Sequence, residues 1–154
     1  MTVNDFIIDT NVYYSYIEES IYEENYLAAQ YLLQLIYHRC ENKICMCTEI
    51  KQEFDKFVKK MRLNPKFQIF KTWLKKMHQH KKFLYMASGS QINLYIHDDD
   101  ECFFSLACNT TLKVVVTQEE KHLTKREYIL QEIGVTTYSI QEAIDLIDKK
   151  NQEN

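Results

Sequence analysis

Short apolar runs alternate with longer segments of helical periodicity, and this alternation limits the possible folds more than any other feature of the chain. Phe6-Ile7-Ile8 is apolar on both faces, which is typical of a buried parallel strand, and Asp9 follows it directly. Further strands are predicted at 44–47, 113–117 and 135–138. The pattern predicts an α/β protein: a three-layer α/β/α sandwich around a mainly parallel sheet of about four or five strands.

Several helix starts are indicated by side chains that can accept hydrogen bonds from free backbone N–H groups. Capping-box spacing occurs at Ser20 and Glu23, and again at Ser139 and Glu142. Thr48 is placed to cap a helix after the second strand. These signals predict helices that follow the strands, as a parallel sheet requires.

Other helix boundaries follow from acidic residues and from helix-breaking residues. A helix is expected to start near Val12, and the acidic run 98–100 opens another. Asn64-Pro65 separates two helices, because the residue before proline avoids the helical conformation. Residues 123–133 are predicted as one helix, with Gly134 just beyond its end. Residues 83–96 contain strand-like pieces that the pattern does not place.

The size and composition of the chain predict a single domain. Its 154 residues fit one domain, expected at 1–148, with a polar tail at 149–154 that frays. Hydrophobic residues make up 45% of the chain, which is enough for a core. With two glycines and one proline, the chain lacks the turn residues that a loop-rich all-β fold needs.

The chain shows none of the sequence signals of export or membrane insertion. It contains no run of about 18 apolar residues, so no membrane span is expected. Its first residues, MTVNDFIID, lack the basic start and apolar stretch of a signal peptide. A cytoplasmic protein is therefore predicted, in which the five cysteines stay reduced.

The net charge of −3 conceals a strong asymmetry along the chain. Between Lys51 and Lys82 there are eleven Lys or Arg residues and two acidic residues, so this segment carries about +9 and the remainder about −12. A basic surface beside an acidic remainder suits a nucleic-acid enzyme with a metal site. An ordinary solvated helix face fits equally well. The lysines predicted to contact a nucleic-acid strand are Lys56, Lys59, Lys60, Lys71 and Lys75.

Acidic residues occur where the predicted strands end or the following helices begin. They are Asp9 after the first strand, Glu53 in the helix after the second, Asp98, Asp99 and Asp100 before a later helix, and Glu119 and Glu120 after the strand at 113–117. In parallel sheets these ends meet at one edge, where ligands bind. Clustered carboxylates need a counter-charge, and Mg²⁺ or Mn²⁺ prefers such oxygen ligands. The order predicts a metal site, although each acid taken singly also fits a helix cap or a solvated position.

The chain resembles the PIN-domain family of metal-dependent ribonucleases, which includes toxins of toxin–antitoxin pairs. The resemblance covers roughly 5–145 and rests on three segments, which are Phe6-Ile7-Ile8-Asp9-Thr10-Asn11, Asp99-Asp100 with Leu106-Ala107, and Val114-Val115-Val116-Thr117. The four acids of the family correspond to Asp9, Glu53, Asp100 and Glu119. Asn11, Thr117 and Asp99 correspond to supporting polar positions.

The resemblance implies an endoribonuclease that uses Mg²⁺ or Mn²⁺. Asp9, Asp100 and Glu119 would hold the metal, and Glu53 would assist. An antitoxin protein and a homodimer are further expectations from the family.

Two departures from the family pattern leave a second function open. The fourth acid is usually Asp in Thr-Asn-Asp, whereas this chain has Thr117-Gln118-Glu119. Glu53 is about one residue nearer the strand than usual, and Glu49 is an alternative for its role. A PIN-like module that binds RNA or protein without catalysis is therefore the alternative prediction.

Overall fold

Five parallel strands and eight helices form the described part of the protein. The computed structural model describes residues 3–18 and 23–153, except for the side chains at 23–26 and 98. The strands are β1 (Asn4–Ile8), β2 (Asn42–Met46), β3 (Phe83–Tyr85), β4 (Val114–Val116) and β5 (Thr136–Tyr138). The helices are α1 (Thr10–Ile17), α2 (Glu23–His38), α3 (Thr48–Met61), α4 (Phe67–Gln79), α5 (Asp98–Ala107), α6 (Glu120–Thr124), α7 (Arg126–Ile133) and α8 (Ile140–Glu153).

The sheet order is β3-β2-β1-β4-β5, and every neighbouring pair is parallel. The chain winds outward from β1 to β3, returns across the sheet, and continues through β4 to β5. Right-handed crossovers in these opposite directions place α1–α4 on one face and α5–α7 on the other. The predicted three-layer α/β/α fold with a parallel sheet is confirmed. The winding reverses between β1 and β4.

The core explains why the short strands hold their positions. All five residues of β1 are buried, as expected for the central strand of a parallel sheet. On the α1–α4 face, Tyr13, Phe54, Phe70 and Trp73 form a cluster with ring centroids 5.0–6.3 Å apart. The Trp73 indole N–H donates to Leu33 O at 3.0 Å, so this large side chain is buried with its polar atom satisfied.

Two predicted end signals are confirmed. Glu142 N donates to Ser139 Oγ at 3.2 Å and Ser139 N donates to Glu142 Oε1 at 3.1 Å, which completes the capping box of α8. Gly134 has φ 70° and ψ 20° at the end of α7, the left-handed conformation that glycine adopts without a steric penalty. The capping box predicted at Ser20 and Glu23 lies outside the described residues.

Several predicted boundaries differ from the structure. The single helix predicted at 123–133 is two helices, α6 and α7, because the chain leaves helical geometry at Lys125. Helix α1 begins at Thr10 rather than near Val12. Of residues 83–96, only β3 is a strand. The segment expected to be a frayed polar tail continues α8 to Glu153.

Two further expectations concern the cysteines and membrane spans. All five cysteines are free thiols. Within residues 3–18 and 23–153, none of the helices combines the length and the apolar character that crossing a membrane requires.

Candidate active site

Asp9 lies at the point where the winding of the sheet reverses. It follows β1 directly, and its backbone N–H donates to Val116 O at the end of β4 at 2.9 Å. Thr117 follows β4 at the same edge. In open α/β sheets, ligands bind beyond the carboxyl ends of the strands at such a reversal. The topology therefore brings one of the predicted acids to the position where a ligand is expected.

The Asp9 carboxyl group is buried, with 8% of the residue exposed. Its Oδ2 accepts a hydrogen bond from the Thr117 hydroxyl at 2.7 Å. Burial raises the pKa of Asp9 and the Asp100 carboxylate adds to this, against the hydrogen bonds from Thr117 and Thr10 and the nearby His122. Asp9 occupies the N-cap position of α1 but makes no side-chain capping bond. Helix capping therefore does not account for this aspartate.

Asn11 and Thr117, predicted as supporting residues, form a small network beside Asp9. Asn11 Nδ2 donates to Thr117 Oγ1 at 3.4 Å, and Asn11 Oδ1 accepts from Gln118 N at 3.1 Å. Thr117 Oγ1 also accepts from Glu119 N at 2.9 Å. Because Thr117 Oγ1 accepts these two bonds, its own proton points to Asp9. The network fixes the orientation of the Asp9 carboxylate.

Asp100, in the first turn of α5, contacts a histidine that the sequence analysis did not single out. His122 Nε2 lies 3.1 Å from Asp100 Oδ2, and His122 is only 3% exposed. The Phe104 ring packs edge-on against the imidazole at 5.4 Å. In the described part of the chain, His122 Nδ1 is buried without a hydrogen-bond partner. The sequence places His122 in the first turn of the helix after β4, but it does not identify Asp100 as its partner.

Glu53 belongs to the same electrostatic neighbourhood as Asp9. Burial raises the pKa of Glu53, and repulsion from Asp9, and then from Asp100, adds to this against a hydrogen bond from Thr10. Glu53 Oε2 is buried and has no hydrogen-bond partner among the described residues. The alternative, Glu49, is exposed, and its carboxylate accepts from the Ser88 hydroxyl, which lowers its pKa. The geometry favours Glu53 over Glu49 for the second acidic position.

Glu119 and Asp99 lie in two different surface depressions. Glu119 precedes α6 and lines a cavity of about 680 Å³ together with Asp100 and His122. Asp99 lines a separate cleft of about 330 Å³ with Glu53. The Asp100 carboxylate acts on both Asp9 and Glu53, whereas Glu119 shares only a cavity wall with Asp100.

The predicted metal ligands do not form a complete ready-made site. In the described part of the chain, no group of three or more His, Cys, Asp or Glu side chains is arranged to hold a metal ion. Repulsion from the Asp100 carboxylate nevertheless contributes to the raised pKa of Asp9. Two carboxylates of this kind can bind a hard cation when water and substrate oxygens supply the remaining ligands.

The five lysines predicted to contact RNA are exposed on α3 and α4. Lys56 lines the cleft that also contains Glu53 and Asp99. For Lys59, Lys60, Lys71 and Lys75, the described residues include no contact with these acids. The structure therefore brings one predicted lysine to the acidic residues, and the other four occupy solvated faces.

A search of protein-family models, a search of curated proteins and a search of solved structures each found no match.

Proposed function

We propose that this chain is a PIN-like, metal-dependent endoribonuclease centred on Asp9 and Asp100. The observation that carries the proposal is that Asp9 is buried at the point where the winding of the sheet reverses. Its carboxylate interacts there with the negative charges of Asp100 and Glu53. Keeping several carboxylates together is unfavourable for folding alone, and a bound cation relieves that repulsion. Such arrangements are typical of functional sites.

Asp9 and Asp100 would hold Mg²⁺ or Mn²⁺ together with water and substrate oxygens, with Glu119 on the cavity wall beside Asp100 and Glu53 nearby. When bound, the ion supplies an activated water and stabilises charge on a phosphodiester during hydrolysis. Thr117 holds the Asp9 carboxylate in one orientation, and His122 does the same for Asp100. Orienting contacts of this kind strengthen metal binding.

The cavity beside Asp100 has features that suit a nucleotide. Tyr95 lines it with 74% of the residue exposed, so a base can stack on its ring. Lys121 and Lys125 also line the cavity, where their ammonium groups can contact phosphate. Lys125 Nζ donates to Tyr95 O at 2.6 Å, which ties the tyrosine segment to the break between α6 and α7. Lys56 and the predicted lysines on α3 and α4 would extend the path of the RNA strand.

The wider biological context forms part of the same proposal. We infer a cytoplasmic enzyme, since all five cysteines are free and a reducing compartment keeps them so. An antitoxin that occupies the acidic site with an Arg or Lys side chain, and a homodimer, are the partners that the family resemblance favours.

Substitution of the two central acids tests this function. Asp9→Asn and Asp100→Asn should each lower Mn²⁺-dependent cleavage of a fluorescent single-stranded RNA by at least about 100-fold, because each removes charge that would bind the ion. Asp145→Asn is the matched control, because Asp145 is exposed on α8 and should retain full activity. Circular dichroism checks that all three variants fold. Cleavage retained by both Asp9→Asn and Asp100→Asn would rule out the nuclease assignment.

The second candidate function is a PIN-like module that binds RNA or protein without cleaving RNA. It is favoured by Glu119 in place of the usual Asp, and by the lack of a three-ligand group in the described residues. The two candidates differ in their response to metal. A metal-binding centre should raise the melting temperature in millimolar Mn²⁺ through mass action, and Asp9→Asn should cancel that rise. RNA binding with no metal-dependent stabilisation and no turnover would favour the binding module.

A further inference from the structure

A second group of like charges lies at the opposite end of the sheet, where β2 and β3 begin. A cavity of about 360 Å³ opens there, lined by Tyr37, His38, Cys40, Lys43, His80 and Lys82. Lys43 is the second residue of β2, and Lys82 directly precedes β3. Since the strands are parallel, this cavity is a full strand length away from the edge that carries Asp9.

Lys82 is unusual because it buries an ammonium group. It is only 4% exposed, and its Nζ donates to Arg39 O at 2.6 Å. An ammonium has three N–H groups, and over the described ranges Arg39 O is the only acceptor for this one. Burial and the neighbouring Lys43 lower the pKa of Lys82, and Cys40 and Glu41 only partly offset them. Buried charges are normally paired with an opposite charge.

Lys43 does not find an acidic partner either. Its Nζ donates to Lys81 O at 3.0 Å, so it too is bonded to a backbone carbonyl. Its register neighbour on β1 is Asp5, but both Asp5 carboxylate oxygens accept backbone N–H groups, those of Thr111 and Leu112 at 2.8 Å each. None of the ion pairs found in the described part of the chain involves Lys43 or Lys82.

The remaining cavity wall suits an anion as well. The His38 and His80 rings pack edge-on against Tyr37, with centroids 4.9 and 5.5 Å from it. Lys76 Nζ lies 5.9 Å from the centre of the same ring, which brings a third ammonium to this end of the sheet. The histidine ring nitrogens add further hydrogen-bond donors beside two ammonium groups that repel each other.

We propose that this cavity binds a phosphate group between Lys43 and Lys82, at a site separate from the acidic centre formed by Asp9, Glu53 and Asp100. The anion would accept the free N–H groups of both ammonium ions and would supply the opposite charge that Lys82 lacks. The phosphate can come from a small phosphomonoester or from the backbone of an RNA strand. The site does not depend on the nuclease assignment, because its residues and those of the acidic centre lie at opposite sheet edges.

Phosphate-dependent stabilisation tests the site, with inorganic phosphate as the probe, chloride at equal ionic strength as the reference, and EDTA present to exclude divalent cations. Phosphate should raise the melting temperature of the wild type through mass action. Lys43→Gln and Lys82→Met should weaken phosphate binding about tenfold, because each removes one of the two ammonium groups. Lys66→Gln is the matched control: it removes the same charge from an exposed position directly before α4 and should leave phosphate binding unchanged.

The outcomes separate clearly. Equal phosphate effects in the wild type and all three variants, or no effect beyond that of chloride, would overturn the proposal. If Lys82→Met fails to fold, the changes in the amide chemical shifts of the wild type on addition of phosphate decide whether the site exists. Perturbations at Lys43 and His80 support the site, and perturbations confined to other regions refute it.

Once binding is shown, displacement of phosphate by a short oligouridine without a terminal phosphate identifies an RNA strand as the source. Displacement only by a nucleoside monophosphate identifies a small phosphomonoester.

Discussion

Two aspartates flank the apolar residues of β1, and their surroundings differ in a way that separates a structural acid from the acid that we propose to be functional. At the amino end, both carboxylate oxygens of Asp5 accept backbone N–H groups of the segment before β4. At the carboxyl end, Asp9 is buried beside Asp100 and Glu53, and burial raises its pKa. Asp5 stabilises the packing of β1 against the β4 segment. Burial and repulsion from Asp100 disfavour the ionised Asp9 carboxylate more than its hydrogen bonds and His122 favour it, and a bound cation would relieve the difference.

The largest expected effect tests the structural half of this contrast. Asp5→Asn should lower the free energy of unfolding by about 2 kcal/mol, because the amide group can accept at only one of its two positions and faces an unpaired N–H at the other. Urea denaturation at pH 7 measures the change. A stability within error of the wild type would mean that these two hydrogen bonds do not fix β1 against the β4 segment.

The second prediction concerns the hydroxyl that orients Asp9. Thr117→Val keeps the shape of the side chain but removes the donor to Asp9 and the acceptor of Glu119 N. Mn²⁺-dependent cleavage should fall by roughly 10- to 100-fold, the range seen when a group that orients a metal ligand is removed. Thr72→Val, at an exposed position on α4, is the control. If both valine variants cleave equally well, Thr117 has no orienting role.

The third prediction tests the functional half and has the opposite sign to Asp5→Asn. Without metal, Asp9→Asn should raise the free energy of unfolding at pH 7 by on the order of 1 kcal/mol. The pKa of Asp9 is higher in the folded chain than in the unfolded chain, so its ionised form destabilises the fold above that pKa. The gain should shrink as the pH falls through the raised pKa and vanish below the ordinary value of 3.8. A destabilised Asp9→Asn at neutral pH would place Asp9 in the same class as Asp5.

The smallest effect concerns backbone strain near the Asp5 end of the sheet. Lys113, just before β4, has φ 53°, a left-handed backbone conformation that is sterically unfavourable for residues with a Cβ atom. Lys113→Gly should stabilise the protein by about 0.5 kcal/mol, once the extra freedom of glycine in the unfolded chain is subtracted. The reciprocal change Gly134→Ala, at φ 70°, should destabilise it by about 1 kcal/mol. Thermal unfolding of both variants measures the two changes in stability. A change in the same direction for both variants would contradict this account.

Local signals in the sequence predicted most of the fold. The apolar runs at β1 and β4, the Ser139 capping box and Gly134 act through neighbours a few residues away, so their effects are visible in sequence. The break between α6 and α7 carries no such signal, because Lys125 is a good helix former. Its Nζ bonds to Tyr95 O, a contact between segments 30 residues apart that no local pattern encodes.

The candidate site was predictable in outline but not in its pairings. The position of Asp9 at the end of an apolar run was sufficient to select it. The sequence could not distinguish Asp5 from Asp9 by environment, because the partners of Asp5 lie more than 100 residues away. The His122 contact with Asp100 also depends on how two helices pack, and sequence spacing alone does not determine that.

The hydrogen bond from Thr117 to Asp9 spans 108 residues of sequence, which has a consequence for synthesis on the ribosome. At roughly 5–20 residues per second, Thr117 is added on the order of 5–20 s after Asp9. Once β2 has been made, β1 can pair with it, but β1 lacks β4 until the end of that interval, and the nascent chain has only part of its acidic centre. The central strand β1 therefore gains its second neighbouring strand only late in synthesis. A chain released before β4 has been made cannot assemble the acidic centre.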